Sequence, residues 1–157
     1  MPKDYQDWTA GDIFTVPLSD GTERLGQVLL ETPDALDSAI CAYTLETAED
    51  SSPADLREEI IVAVHFTSTD LLDSGVWKVI GRKKPLPADR FINVDHLRVE
   101  GWIGAKIIGS GNIKKFLEAC TGIRAWDSMH NPNYFERLLV SPDKKPDTIR
   151  FEKGRPV

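Results

Sequence analysis

The sequence predicts an α+β fold, in which a curved, mainly antiparallel β-sheet carries a few short helices, most of them in the C-terminal half. Two apolar runs, Asp12–Leu18 and Leu25–Leu30, flank the hairpin dipeptide Asp20-Gly21, which indicates paired strands. Ile60–Phe66 is dominated by β-branched residues, as is typical of a strand buried in a sheet. The apolar residues of Ile113–Cys120 fall on one stripe of a helix.

The length of 157 residues is that of one domain, and it is sufficient for a core that needs no disulfide or metal. We therefore expect residues 1–157 to form a single domain. The ordered core should cover about residues 11–140. Residues 141–157 are charged and contain proline, which predicts a loose charged tail.

The first half of the chain should supply most of the sheet. Pro17 places the first strand at an edge or a bulge, and Gly26 marks a bulge or a close backbone approach in the second. Ser38–Leu45 is a third strand, and Ile60–Phe66 should lie in the centre of the sheet. A sheet of this kind could close partway into an SH3-like barrel.

The second half alternates short elements with loops. Ser68 or Thr69 should cap a short helix that ends at Gly75, and Asn112 should cap the helix Ile113–Cys120. The remaining expectations are a strand at Val76–Ile80, a loop at Gly81–Asp89, strands at Phe91–Leu97 and Trp102–Ile108, and a helix at Asn133–Val140.

Negative charge is concentrated in one stretch of the chain. Nine acids and one base lie between Glu31 and Glu59, for a local charge of −8, whereas the rest of the chain carries +2. Such a field repels nucleic acid and attracts basic partners. Exposed loops commonly carry binding residues. We therefore predict a partner-binding surface at Glu46, Glu49, Asp50, Asp55, Glu58 and Glu59.

No catalytic or metal-binding pattern is present in the sequence. His65, His96 and His130 are isolated from one another and from cysteine, so neither a metal nor another cofactor is indicated. Cys41 and Cys120 should be buried, unpaired thiols. The turn at Gly109–Asn112 could hold an anion at a helix start, but the favoured interpretation is an ordinary turn with Asn112 as a helix cap. We expect no enzymatic activity.

The sequence also predicts a cytoplasmic location. Its first twelve residues have no apolar core of a secretory signal, and no run of 18 apolar residues could span a membrane. We expect no membrane partner.

Several motifs resemble the immunity protein 26 family of bacterial polymorphic-toxin systems. They are GDIFTVPLSDG with GQVL after it, and then TSTDLLDSGVWKVIG with KPLP soon after. The resemblance covers roughly Gly11 to Val140. It implies a bacterial inhibitor that binds and neutralises a cognate toxin domain without catalysis. Many such toxins are nucleases with basic clefts, which an acidic inhibitor would complement.

Two other functions stay open. The start of the chain is also similar to the SH3-like barrel of plasmid-maintenance growth inhibitors, which are endoribonucleases, but its acidic early half argues against RNA binding. A domain that binds a small molecule or an anion at Gly109–Asn112 is the second alternative.

Overall fold

The computed structural model describes residues 5–152, and within them six strands form one sheet in the order β5-β1-β2-β3-β4-β6. The strands are β1 Asp12–Pro17, β2 Glu23–Glu31, β3 Ser38–Thr47, β4 Ile61–Ser68, β5 Val79–Arg82 and β6 Ile107–Ile108. Neighbouring strands are antiparallel except for β4 and β6, which are parallel. The predicted α+β class with a mainly antiparallel sheet is confirmed, and the sheet is open rather than closed into a barrel.

Three α-helices occur in the described part of the chain: α1 Asp70–Ser74, α2 Val94–Val99 and α3 Ser110–Cys120. Six single turns of 3₁₀-helix lie in the connections, at Asp34–Leu36, Pro53–Asp55, Glu58–Ile60, Ala88–Arg90, Glu136–Leu138 and Pro142–Lys144. As expected, α1 ends at Gly75, which adopts φ 85° in the left-handed region that glycine accepts at little cost.

The sheet is buried on both faces. Along β3, Cys41 and Tyr43 belong to a large core cluster that includes residues of α3, whereas Ile40 and Ala42 belong to a smaller one that includes Val94 of α2. This alternation follows from the two-residue period of a strand. Helix α3 therefore lies over one face, and the segment around α2 lies over the other.

Three aromatic rings form the centre of the larger cluster. Phe14 stacks on Trp77 with ring centroids 5.3 Å apart, and Tyr43 meets both rings edge-on. Gly26 makes room for this arrangement, because a Cβ there would lie 2.8 Å from the Phe14 ring and 2.9 Å from the Ala42 carbonyl oxygen. The close approach expected at Gly26 is thus confirmed.

Both cysteines are free and buried, as predicted. Burial raises the pKa of the Cys41 thiol to about 12, with a small opposing effect of a hydrogen bond to Tyr43. Burial alone raises the pKa of the Cys120 thiol to about 12. Both residues therefore act as small apolar groups of the core.

Some predicted strands are corrected by the structure. The centre of the sheet is formed by β2 and β3, and β4 lies one strand from the edge. Phe91–Leu97 is not a strand, because Asn93 accepts a hydrogen bond from the His96 amide (3.2 Å) and starts α2. Of Trp102–Ile108, only the last two residues pair with the sheet.

The predicted helices also change at their ends. Helix α3 begins at Ser110 with Gly109 as its N-cap, so Asn112 lies inside the helix rather than capping it. Asn133–Val140 is not an α-helix, because Leu139 is extended and the Val140 amide donates to the Val62 carbonyl (2.7 Å). Tertiary hydrogen bonding there overrides local helix propensity.

The tail is packed as far as the structure describes it, so the expectation of a loose segment from Ser141 is wrong for residues 141–152. Ile149 and Phe151 contact the larger core cluster. The Trp126 amide donates to the Arg150 carbonyl (2.7 Å), and Lys145 pairs with Glu136 at 2.9 Å. Residues 153–157 lie outside the described part of the chain.

Replacement of Gly26 tests the aromatic centre. Gly26→Ala should destabilise the protein by about 2 kcal/mol, because its methyl group cannot fit between the Phe14 ring and the β3 backbone. Urea unfolding followed by tryptophan fluorescence measures this. Gly111→Ala is the matched control, since a Cβ there meets no atom within 4 Å and an alanine suits a helix, so it should stabilise by about 0.5 kcal/mol. Equal urea midpoints for Gly26→Ala and Gly111→Ala would contradict the close approach of the Phe14 ring and the β3 backbone to Gly26.

Candidate functional site

The acids predicted to bind a partner lie at the C-terminal end of β3 and in the connection that follows it. Several of them accept hydrogen bonds from neighbouring residues of the same segment. Glu46 accepts a hydrogen bond from the Ser51 hydroxyl (2.9 Å), and Asp50 accepts one from the Thr47 hydroxyl (3.0 Å). Asp55 accepts from the Ser52 amide (2.9 Å) in a capping box. Glu49 and Asp50 are exposed. These carboxylates shape their own loop as well as giving it charge.

The last two predicted acids are accompanied by bases. Glu58 pairs with Arg90 at 3.2 Å, and Glu59 lies 3.9 Å from Arg57. The Lys144 ammonium donates to the Glu59 carbonyl. Glu58 and Glu59 share a cavity of about 360 Å³ with Arg90 and Lys144. The negative field on this side of the loop is therefore partly neutralised.

A more strongly acidic surface lies at the opposite end of β3, about 30 Å away along a strand of ten residues. We call it the acidic hollow: a cavity of about 290 Å³ together with an adjoining cavity of about 410 Å³. Its carboxylates are Asp7, Glu31, Asp34, Asp37, Asp70 and Asp73. None of the described residues that line it is a lysine, arginine or histidine.

Strand pairing brings these acids together from three parts of the chain. The β2–β3 turn supplies Glu31, Asp34 and Asp37. Ser38 at the start of β3 pairs with Ser68 at the end of β4, which places the turn beside α1 and its acids. The Thr69 amide donates to the Asp37 carbonyl (3.3 Å) and ties the two segments directly.

The N-terminal segment forms the third wall, and Gln6 holds it there. The Gln6 side-chain amide donates to the carbonyls of Leu72 and Trp77, both at 2.8 Å. Its oxygen accepts from the Val79 amide at 2.9 Å, and its backbone amide donates to the Asp73 carbonyl at 2.7 Å. These four bonds fix the residues on either side, Tyr5 and Asp7, at the mouth of the hollow.

Two of the six carboxylates are tied to that segment. The Trp8 indole N–H donates to Asp73 at 2.8 Å, and the Thr9 hydroxyl and Ala10 amide donate to Glu31 at 2.5 and 3.3 Å. By contrast, the carboxylates of Asp7, Asp34 and Asp37 make no hydrogen bond or ion pair with any described residue. These three charges are therefore available to an incoming cation.

Asp70 connects the hollow to the start of α3. Its carboxylate accepts from the hydroxyls of Ser68 and Ser110, both at 2.8 Å. Partial burial opposes ionisation, but the hydrogen bonds from the Ser110 and Ser68 hydroxyls and from the backbone amides of Asp70 and Leu71 together hold the pKa of Asp70 below its usual value. A carboxylate of the protein thus already occupies the position beside Gly109–Asn112 where an anion was considered.

Among the isolated histidines, His65 is hydrogen-bonded to the backbone of another segment. The His65 Nε2–H donates to the Leu138 carbonyl (2.8 Å), and burial lowers the pKa of this histidine despite that bond. Within residues 5–152, no three His, Cys, Asp or Glu residues are placed to hold a metal ion. The six acids therefore surround a space rather than converge on a point, which suits an extended cationic group.

None of the described helices is long and apolar enough to cross a membrane. No protein-family model matches the sequence, and comparisons with curated proteins and with solved structures give no significant match.

The sequence interpretation assigned none of the six acids of the acidic hollow to the predicted site. Glu31, Asp34 and Asp37 were counted in the acidic stretch but not assigned to the site, and Asp7, Asp70 and Asp73 lie outside that stretch. Charge counted along the chain cannot reveal this convergence. The usable signal was the antiparallel pairing of the third and fourth predicted strands, which places the turn before one strand beside the residues after the other.

Acid titration tests the role of Asp70. Its lowered pKa stabilises the folded state above about pH 4, and that contribution is lost as the pH falls through the pKa of the folded state. Asp70→Asn keeps an oxygen for both hydroxyls but cannot ionise. We expect the variant to be less stable than the wild type at pH 7, with the difference shrinking by pH 3, as measured by urea unfolding at each pH. Glu49→Gln is the exposed control. A difference in unfolding free energy between Asp70→Asn and the wild type that stays the same from pH 7 to pH 3 would contradict the lowered pKa of Asp70.

Proposed function

We propose that this chain is a bacterial immunity protein, which binds a cognate toxin domain in the cytoplasm and neutralises it without performing catalysis. The observation that carries the proposal is the acidic hollow: six carboxylates with no basic residue among its described lining residues, and three of these carboxylates make no hydrogen bond or ion pair with any described residue. The motifs that resemble the immunity protein 26 family point to the same class of protein.

The physical argument is electrostatic complementarity. A concave surface with a formal charge of −6 focuses its field on a partner that carries clustered lysine or arginine side chains. A nuclease toxin has such clusters, because it must hold the phosphates of its substrate. An acidic inhibitor would occupy the same cationic groups and thereby exclude the nucleic acid.

The loop acids belong to the proposal as a second, weaker contribution. Glu46, Glu49, Asp50, Asp55, Glu58 and Glu59 add to the long-range negative field. Local hydrogen bonds and the bases beside Glu58 and Glu59 leave this loop with less unbalanced charge than the acidic hollow has. We therefore assign the contact and most of the electrostatic steering to the hollow, and a smaller contribution to steering to the loop.

The two alternative functions receive no specific support. An endoribonuclease needs a basic cleft, whereas the acidic hollow is negatively charged. An anion beside Gly109–Asn112 would face the carboxylate of Asp70. Neither alternative is therefore proposed in place of toxin binding.

Co-expression tests the proposed function. The C-terminal domain of the protein encoded immediately upstream of this chain's gene should arrest bacterial growth when expressed alone. Growth should be restored when this chain is expressed with it, and the two proteins should purify as a stable complex. A toxic domain that neither binds this chain nor is neutralised by it would overturn the proposal, as would an upstream protein without toxicity.

Charge-neutral variants test which acids matter. Asp7→Asn, Asp34→Asn and Asp37→Asn together remove three unbonded charges with little change in shape, and asparagine tolerates the left-handed backbone at residue 37 (φ 49°). Association with the toxin domain should slow about tenfold at low salt, and the difference should disappear at high salt. Glu46→Gln, Glu49→Gln and Asp50→Asn remove the same charge from the loop and should have a smaller effect. The reverse ranking, measured by stopped-flow fluorescence, would assign the contact to the loop.

A further inference from the structure

Beside the acidic hollow, the edge of the sheet presents an exposed apolar strip. Val76 is 53% exposed and Ile80 is 41% exposed, whereas the intervening Trp77 is buried. Exposed residues alternate with buried or half-buried ones from Val76 to Ile80; Val76 lies in the bend before β5, and Ile80 lies within β5. Tyr5, which is 63% exposed, lies close by because Gln6 bonds to Trp77 and Val79.

The backbone of the strip is already hydrogen-bonded within the protein, so a partner would meet its side chains and not a free strand edge. The Trp77 amide donates to the Leu71 carbonyl (3.0 Å), and the Gln6 side chain takes up the Trp77 carbonyl and the Val79 amide. On its other side, the Lys78 carbonyl accepts from the Thr15 amide in β1 (3.0 Å). A partner therefore cannot add a strand at this point without displacing Gln6, and it would instead pack on the apolar side chains.

The strip and the acidic hollow are continuous. Tyr5 is a lining residue of the hollow and a member of the strip, and the Gln6 amide donates to the carbonyl of Asp73, a hollow residue. The two parts resemble the two components of a protein interface: an aromatic and aliphatic centre that supplies affinity, and a charged border that directs association. Apolar side chains exposed beside such a field are suited to a protein partner rather than to a small ion.

We propose that Tyr5, Val76 and Ile80 form the apolar anchor site for the same basic partner that the acidic hollow attracts. The partner segment carries an aliphatic or aromatic side chain next to its lysine or arginine residues. This inference rests on the proposed function and deepens it, because it states what the partner must present besides charge. Apolar packing determines the dissociation rate, whereas the hollow determines the association rate.

The segment from the end of α2 to β6 provides a matched control. Val99 and Ile103 are 81% and 79% exposed, more than any residue of the strip, and they lie on the segment that leads to β6. Cavities of the acidic hollow do not include these two residues. Exposure of apolar area alone would therefore make Val99 and Ile103 the better anchors.

The first test uses the toxin domain from the co-expression experiment. The triple variant Tyr5→Ala, Val76→Ser and Ile80→Ser should dissociate from it about 30-fold faster than the wild type, with an association rate within about twofold. Val99→Ser with Ile103→Ser should change neither rate. Circular dichroism confirms that both variants are folded. Equal dissociation rates for the triple variant and the wild type would overturn the anchor site while leaving the proposed function intact.

The second test needs no toxin. Two capped hexapeptides are titrated into ¹⁵N-labelled protein, one alternating arginine with leucine and the other alternating arginine with serine. The leucine peptide should shift the amide signals of Val76, Lys78 and Ile80 together with those of the hollow, and the serine peptide should shift the hollow alone. Shifts of Val99 and Ile103 instead, or the same shifts from both peptides, would overturn the anchor site. If the leucine peptide binds as expected while the toxin domain does not bind, the proposed function fails and the apolar anchor stands.

Discussion

The packing of three aromatic rings over a glycine is the constraint on which the rest of this structure depends. Gly26 in β2 lets the Phe14 ring lie against the sheet, Trp77 stacks on Phe14, and Tyr43 closes the group from β3. Trp77 in turn fixes the start of β5, and its backbone carbonyl is one of the groups that Gln6 binds. The N-terminal wall of the acidic hollow is thus held by a hydrogen bond to a residue that the aromatic core has already immobilised. The stacking of Trp77 on Phe14 therefore stabilises the core and also fixes the shape of the acidic hollow.

The sequence was sufficient for the parts of the fold that local patterns determine. Alternating residues and the Asp20-Gly21 turn identify β1 and β2, and the left-handed Gly75 ends α1 as expected. Interpretation failed where distant contacts decide the local structure. Val140 is extended because its amide pairs with Val62, and the charged tail is ordered because Ile149 and Phe151 reach the core. Neither contact leaves a signal in the residues immediately around it.

The difference between local patterns and distant contacts also explains why the acids predicted to bind a partner do not coincide with the acidic hollow. Counting charge along the chain identified an acidic stretch, but β3 carries its two halves to opposite ends of the sheet. Glu58 and Glu59 then meet bases, whereas Asp34 and Asp37 meet Asp7 and Asp73 from other segments. Folding thereby divides one acidic stretch between a partly neutralised loop surface and the unbalanced acidic hollow. The unbalanced one stores repulsion between like charges, which a cationic partner would relieve.

The central claim is that a basic partner docks on the acidic hollow, and amide hydrogen exchange of the chain with and without the toxin domain tests it most directly. We expect protection on binding at residues 5–9, at the β2–β3 turn from 31 to 38, and at 69–73, with little change at 46–59. Residues 99–107, which run from the end of α2 to the start of β6, serve as an internal reference. Protection confined to 46–59, with the three hollow segments unchanged, would contradict the account and assign binding to the loop acids.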